Sequence, residues 1–289
     1  MRLCKIAKRQ RNVFHLSDLE PPRTLVLKTA ENPFESMRAF VRVAEPLQGM
    51  QSHVYISNIP EIGDVLIKEM KPAHQHGLDA VVELEVALKR DGAPVAELLS
   101  YHEWNDNMTL KNALVYRYYP GGDLFQHILR LHRNKTINPN QSERIAYSVV
   151  KMLCTCLAHL HQKGWVHVDI KPENIFLSHD IESPDCLAYL GDFGQAVPAG
   201  TMISPFNHGS PVYFPKQDFR GFQPAQTSVD MFSVGQVLKQ FEHIHVLSEH
   251  ARSVFVALTN REALQRPTAE QMLHQFLPAW QSHLTQANL

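Results

Sequence analysis

At Pro120-Gly121-Gly122 the hydrophobic pattern of this chain changes period from strand-like to helical, which marks a lobe boundary near 120. Before it, short β-type runs dominate: His53 to Ser57, Gly63 to Lys68, Val95 to Ser100 and Ala113 to Tyr119, interrupted by one helical stretch, Leu78 to Arg90. After it the period is helical, over Leu124 to Arg133 and then Ser142 to Gln162. In the second of these, Ile145, Val149, Met152, Leu153, Cys156, Leu157 and Leu160 fall on one broad stripe. Short strand-like pieces follow (Trp165 to Asp169, Ile175 to Ser178, Leu187 to Leu190), with helices over Thr227 to Gln240, Ser248 to Asn260 and Thr268 to Phe276. This pattern predicts an α+β chain of two lobes: a β-rich N-lobe over 46–119 and a helical C-lobe over 120–289. Residues 1–45, with a basic start and Pro21-Pro22, read as an extension packed on the first lobe.

The chain has 289 residues, enough for two lobes sharing a cleft. With 44% hydrophobic and 20% charged residues it is an ordinary globular composition. Lys and Arg number 28 against 29 Asp and Glu, so a formal charge of -1 offers no electrostatic reason to expect nucleic acid or a membrane surface as partner. Cys4, Cys154, Cys156 and Cys186 are too few and too irregular for a disulfide framework or a zinc site, which suits a reducing cytosol. No apolar run of signal-peptide length follows the basic start, and Arg2 excludes myristoylation. The 17 histidines show no metal-ligand spacing and read as surface or satisfied core residues.

The segment from Val166 to Leu177, VHVDIKPENIFL, sets Asp169, Lys171 and Asn174 on a loop between two apolar pieces. Phosphoryl transfer asks for a carboxylate to orient and deprotonate a hydroxyl, a cation near the moving phosphoryl, and an oxygen ligand for Mg²⁺. One residue is present for each task. Twenty-three residues past Asp169, in GDFG, Asp192 adds a hard carboxylate between glycines that let the backbone turn.

Taken together, HVDIKPEN and GDFG resemble the catalytic and metal-binding loops of eukaryotic-type Ser/Thr protein kinases. The resemblance covers most of the chain. It implies Asp169 as catalytic base, Lys171 as the phosphate-neutralising lysine, Asn174 and Asp192 as Mg²⁺ ligands, and ATP as cofactor. Val65-Leu66-Ile67-Lys68 resembles the third-strand lysine motif, so Lys68 is expected on the α- and β-phosphates, paired with Glu85 of the following helix or alternatively with Glu83. Leu47 to Tyr55 stands where the phosphate-covering loop belongs, with Gly49 as its one remaining glycine and Val54 following over the nucleotide. Leu114 to Asp123 resembles the hinge, with backbone of Arg117 and Tyr119 facing adenine, Tyr116 as gatekeeper and Asp123 near the ribose. HGSPVYFPK, from His208, resembles the segment that receives a peptide substrate, with Ser210 near Asp169 and Tyr213 lining the pocket. Asp230 and Arg266 match structural positions, the first holding the backbone of the catalytic loop.

Departures from the family pattern are informative. Val168 replaces the arginine before the catalytic aspartate, so activity is expected not to depend on a phosphorylated activation loop. Lys216 stands where a glutamate normally pairs with the arginine at 266, and Asp218 is a nearby carboxylate able to take its place. Leu66 replaces a small residue over adenine. The chain between the central helix and Ser248 is too short for the usual extra docking helix, and the excess length before Asp192 falls in His179 to Cys186, a surface hairpin. The expectation is an ATP- and Mg²⁺-dependent Ser/Thr protein kinase acting on a protein hydroxyl in the cytoplasm, or delivered into a host cell. Two alternatives stay open: a non-catalytic kinase-fold scaffold, and a kinase for a small molecule.

Overall fold

The computed structural model describes residues 26–29, 42–43, 52–59, 62–70, 77–106, 109–134 and 137–286. The chain divides into two units, Met1–Arg90 with Ala96–Tyr118, and Asp91–Val95 with Tyr119–Leu289.

The first unit holds β1 (Val26–Thr29), β2 (Arg42–Val43), β3 (Ser52–Ile59), β4 (Gly63–Met70), α1 (Leu78–Arg90), β5 (Leu98–Asp106) and β6 (Thr109–Arg117). The strands form one sheet in the order β1-β5-β6-β4-β3-β2, with β1 parallel to β5 and the other pairs antiparallel. Successive side chains of a strand face opposite sides, so each face collects alternate residues. Ile59, Val65, Ile67, Trp104, Ala113 and Val115 close into a buried cluster on one side. Leu66 and Lys68 fall on the other, opposite Tyr116 and Leu114. The buried stripe of α1 is Leu78, Val81, Val82, Leu84, Glu85 and Leu88, the spacing expected of a helix laid on a sheet.

Two strand expectations need correction. The run predicted over Val95 to Ser100 begins at Leu98 and continues through the polar stretch to Asp106. Polarity did not mark a loop there because several of the polar groups pair inside the sheet: the Tyr101 hydroxyl donates to Glu103 Oε1 at 2.8 Å and Asn112 Nδ2 donates to Tyr101 Oη at 2.6 Å. The strand predicted over Ala113 to Tyr119 ends at Arg117 and starts earlier, at Thr109. The extension over 1–45, apart from β1 and β2, and Gly49 of the phosphate-covering loop lie outside the described residues.

The second unit contains α2 (Leu124–Asn134), α3 (Pro139–Gln162), β7 (Trp165–Val166), β8 (Ile175–Leu177), β9 (Ala188–Leu190), β10 (Val197–Pro198), β11 (Met202–Ile203), β12 (Gln223–Pro224), α4 (Thr227–Gln240), α5 (Glu249–Leu258), α6 (Ala269–Gln271) and α7 (Leu277–Gln286). The helix α3 starts three residues before the predicted position: Asn138 caps it by accepting from Gln141 N at 2.9 Å, and Pro139 takes the first turn, where its missing N–H costs nothing. Val229 to Leu238 of α4 are buried apart from Gln236, so this helix is the floor of the unit. Only the short turn Phe241–His243 and five further residues join α4 to α5, leaving no room for an intervening helix. The strand expected over Trp165 to Asp169 is confined to Trp165–Val166, and Asp169 lies on the loop that follows. Residues 179–186 connect β8 to β9, and Arg130 of α2 ties them down through Asp180 at 2.7 Å and Glu182 at 3.0 Å. Among the described residues no helix is long and apolar enough to cross a membrane.

Candidate active site

In the second unit the loop between β7 and β8 hangs from one buried carboxylate. Asp230, 0% exposed, accepts the backbone N–H groups of His167 and Val168, each at 2.8 Å, and pairs with His161 Nε2 at 2.8 Å. These bonds hold Val168 at φ 72, a left-handed conformation that a β-branched side chain resists. Such strain costs about 1–3 kcal/mol and persists only when the surroundings over-determine it. The kink turns the Val168 side chain into an apolar cluster with Val166, Ile203, Phe214, Ala225 and Val229, and sends the chain on to Asp169.

Asp169 is 4% exposed and densely bonded. Lys171 Nζ meets its Oδ2 at 2.7 Å, the Ser210 hydroxyl donates to Oδ1 at 2.7 Å, and Lys171 also donates to Ser210 Oγ at 3.1 Å. Asn174 Nδ2 donates to the Asp169 carbonyl at 2.8 Å and to Oδ2 at 3.3 Å. With its NH₂ spent inside the loop, the amide oxygen is the atom Asn174 has left for a cation. Asp192 sits in a left-handed turn at φ 57, accepting from Gly194 N at 3.4 Å. Phe193 beside it is buried against His167, with ring centroids 4.7 Å apart, while His167 Nε2 contacts the Gly191 carbonyl at 3.2 Å. Burial keeps the His167 imidazole in its neutral form, its pKa below the ordinary histidine value despite the carboxylates of Asp230, Asp169 and Asp192 nearby.

A hard-oxygen pair of one carboxylate and one amide is a donor set that suits Mg²⁺, which keeps several waters and takes other ligands from substrate phosphates. Among the described residues no group of three or more His, Cys, Asp or Glu side chains is gathered to hold an ion alone.

In the first unit, Lys68 on β4 has Val54 and Leu114 as its cross-strand neighbours. Glu85 and Glu83, two residues apart on α1, point nearly opposite ways, Glu85 buried at 2% exposure and Glu83 exposed. The Arg117 N–H is bonded to the Glu97 carbonyl at 2.9 Å. In the second unit, the Tyr119 carbonyl accepts from Gly122 N at 2.9 Å, and Asp123 Oδ1 accepts from Gln126 N at 2.9 Å, capping the first turn of α2.

A family model described as the protein kinase domain matches residues 48–241, well over half of the chain. This chain belongs to the eukaryotic-type protein kinase family. It is similar to the serine/threonine-protein kinase ArnS of Sulfolobus acidocaldarius, 30% identical over 140 residues that cover 44% of this chain and 22% of that protein. An Aurora kinase of Schizosaccharomyces pombe is 27% identical over 205 residues, 69% of this chain and 53% of that one. A probable myosin light chain kinase of Dictyostelium discoideum is 29% identical over 182 residues, 61% and 43% respectively. The chain thus spans about half or less of the length of these relatives.

The kinase domain has the α+β architecture expected of it, a β-sheet N-terminal region and a helical C-terminal region. Its lost glutamate is replaced from the same segment. Arg266, 5% exposed, donates to Asp218 through both terminal nitrogens, at 2.6 and 2.9 Å, as well as to the Asn260 and Ser228 carbonyls, and lies over the Phe232 ring. Lys216, two residues earlier, is exposed. His161 went unnoticed in the sequence because nothing about a histidine near a helix end announces a buried carboxylate sixty-nine residues away.

Proposed function

We propose that this kinase domain is catalytic: an ATP- and Mg²⁺-dependent Ser/Thr protein kinase that phosphorylates a protein hydroxyl. The observation that carries the proposal is the Ser210 hydroxyl at 2.7 Å from Asp169 Oδ1, with Lys171 bonded to both. A carboxylate offers about four acceptor positions. Ser210, Lys171 and Asn174 take three, which leaves one for the hydroxyl of a substrate serine or threonine. Asp169 orients that hydroxyl and takes its proton as the oxygen attacks, and Lys171 offsets the negative charge that gathers beside it. Asn174 and Asp192 would hold Mg²⁺, while Lys68, with Glu85 behind it, would hold the nucleotide phosphates. MgATP, when bound, would supply the γ-phosphoryl group, with ADP as the leaving group, and the positive charge of its cation. Gly49, Val54, the backbone of Arg117 and Tyr119, and Asp123 complete the proposed nucleotide contacts. Free thiols at Cys154, Cys156 and Cys186 suit a reducing cytosol.

The test is incubation with labelled ATP, Mg²⁺ and a generic acceptor protein, beside an Asp169→Ala chain, scoring phosphoserine and phosphothreonine. Wild-type label with loss of about a thousandfold or more in the variant is expected. No label from either chain, with nucleotide still bound, would give the domain to the scaffold alternative, and label only on a small molecule to the other.

A further inference from the structure

The face of the sheet that carries Lys68 also carries a tyrosine with an unusual partner. Residues directly opposite in an antiparallel pair share a face, and Tyr116 lies opposite Leu66 as Leu114 lies opposite Lys68. Tyr116 is 8% exposed, and its hydroxyl donates to Glu85 Oε1 at 3.0 Å. Glu85 stands in the apolar stripe of α1 among Val81, Val82, Leu84 and Leu88. Removing a carboxylate from water into such a stripe is costly unless donors meet it, and a hydrogen bond to a charged acceptor is among the stronger ones. A phenol is a neutral donor: it fixes where the carboxylate sits without cancelling the charge. The ring is held in turn by its own burial, so the donor arrives on a rigid support with two torsions instead of on a flexible chain.

We infer that Tyr116 is a positioning residue, whose hydroxyl fixes the Glu85 carboxylate on the Lys68 face of the sheet before any nucleotide arrives. The inference rests on the kinase reading above, in which Lys68, paired with Glu85, would hold the phosphates, and adds to it a third member that acts through Glu85. A ring without the hydroxyl would fill the same space and take this one donor away from Glu85.

The decisive comparison is a double-mutant cycle on the full chain, with Tyr116→Phe, Glu85→Gln and both together, read as kcat and KM for ATP. Tyr116→Phe should lower kcat/KM for ATP roughly tenfold, the worth of one hydrogen bond to a charged group. Glu85→Gln should lose at least as much, and the double variant should be no slower than Glu85→Gln alone. An undiminished rate for Tyr116→Phe overturns the inference, as do losses that multiply in the double variant, and so does a lower melting temperature with kcat/KM intact, since that marks a purely structural role. Should the wild type bind ATP without turning it over, phosphotransfer itself is the reading that fails. The same cycle is then scored on ATP affinity, where a coupled loss upholds the role of Tyr116 and independent losses end it.

Discussion

Arg266 carries a full charge to a side chain position that is 0% exposed, and the bidentate carboxylate of Asp218 is what makes that tolerable. Removing one partner of a buried pair leaves the other charge uncompensated, at about 3–5 kcal/mol. Asp218→Ala should therefore lower the unfolding free energy by about that much in urea titration, whereas Lys216→Ala, at an exposed site, should change it by less than about 0.5 kcal/mol. A loss below about 1 kcal/mol for Asp218→Ala would mean that the Asn260 and Ser228 carbonyls and the Phe232 ring hold the guanidinium unaided. At this scale one cluster singled out in the sequence is brought together by the fold: Asp169, Lys171, Asn174 and Ser210 are joined by the hydrogen bonds described. The family motif leaves Glu85 and Glu83 as alternatives, although the apolar spacing of Leu78, Val81, Val82, Leu84 and Leu88 already sets Glu85 on the inward side of α1 and Glu83 opposite. The Tyr116 hydroxyl and His161 could not be foreseen, since their partners are thirty-one and sixty-nine residues distant.

Among the elements, α1 and α4 run over the residues that their periodicity predicts, Leu78–Arg90 and Thr227–Gln240. The misses have local causes. At the C-terminal end, the helix predicted to stop at Phe276 continues as α7 to Gln286, through Pro278. A π-helical turn over Met272–Phe276 precedes the proline, and the looser winding accommodates a residue that cannot donate and whose ring crowds the preceding turn. Trp280 rewards the continuation, buried edge-on against Tyr147 and donating to Glu143 at 2.7 Å. The glycine pair before α2 shows how tightly two elements meet. A Cβ on Gly121 would come within 2.2 Å of the His179 carbonyl and 2.5 Å of the Leu177 carbonyl, both backbone atoms that cannot step aside. Gly121 N also donates to Leu177 O at 3.0 Å. Gly121→Ala should force α2 and β8 apart and cost at least about 2 kcal/mol in urea titration. A chain that kept its full stability would show the turn free to move as a body.

For the molecule as a whole, acid should act first through histidines that fold in the neutral form. His102 on β5 is enclosed by the sheet, with Ser100 Oγ at 2.9 Å from its Nε2, and burial pulls its pKa from 6.5 down to about 4. Burial pulls His167, beneath Phe193, in the same direction. The unfolded chain takes up these protons near pH 6.5 while the folded chain refuses them, so unfolding binds protons and is favoured as pH falls. Stability is complete above about pH 7 and is lost through the window from 6.5 to about 4, where His102 alone accounts for about 3 kcal/mol. The two histidines sit in different units, His102 in the sheet and His167 on the loop between β7 and β8, so each unit carries its own acid sensitivity. Urea midpoints at pH 7.5, 6 and 5 should fall steadily, and a His102→Asn chain, whose side chain does not titrate, should show a shallower decline. Midpoints that held level from pH 7.5 to 5 would mean that both imidazoles find a way to be charged inside the fold.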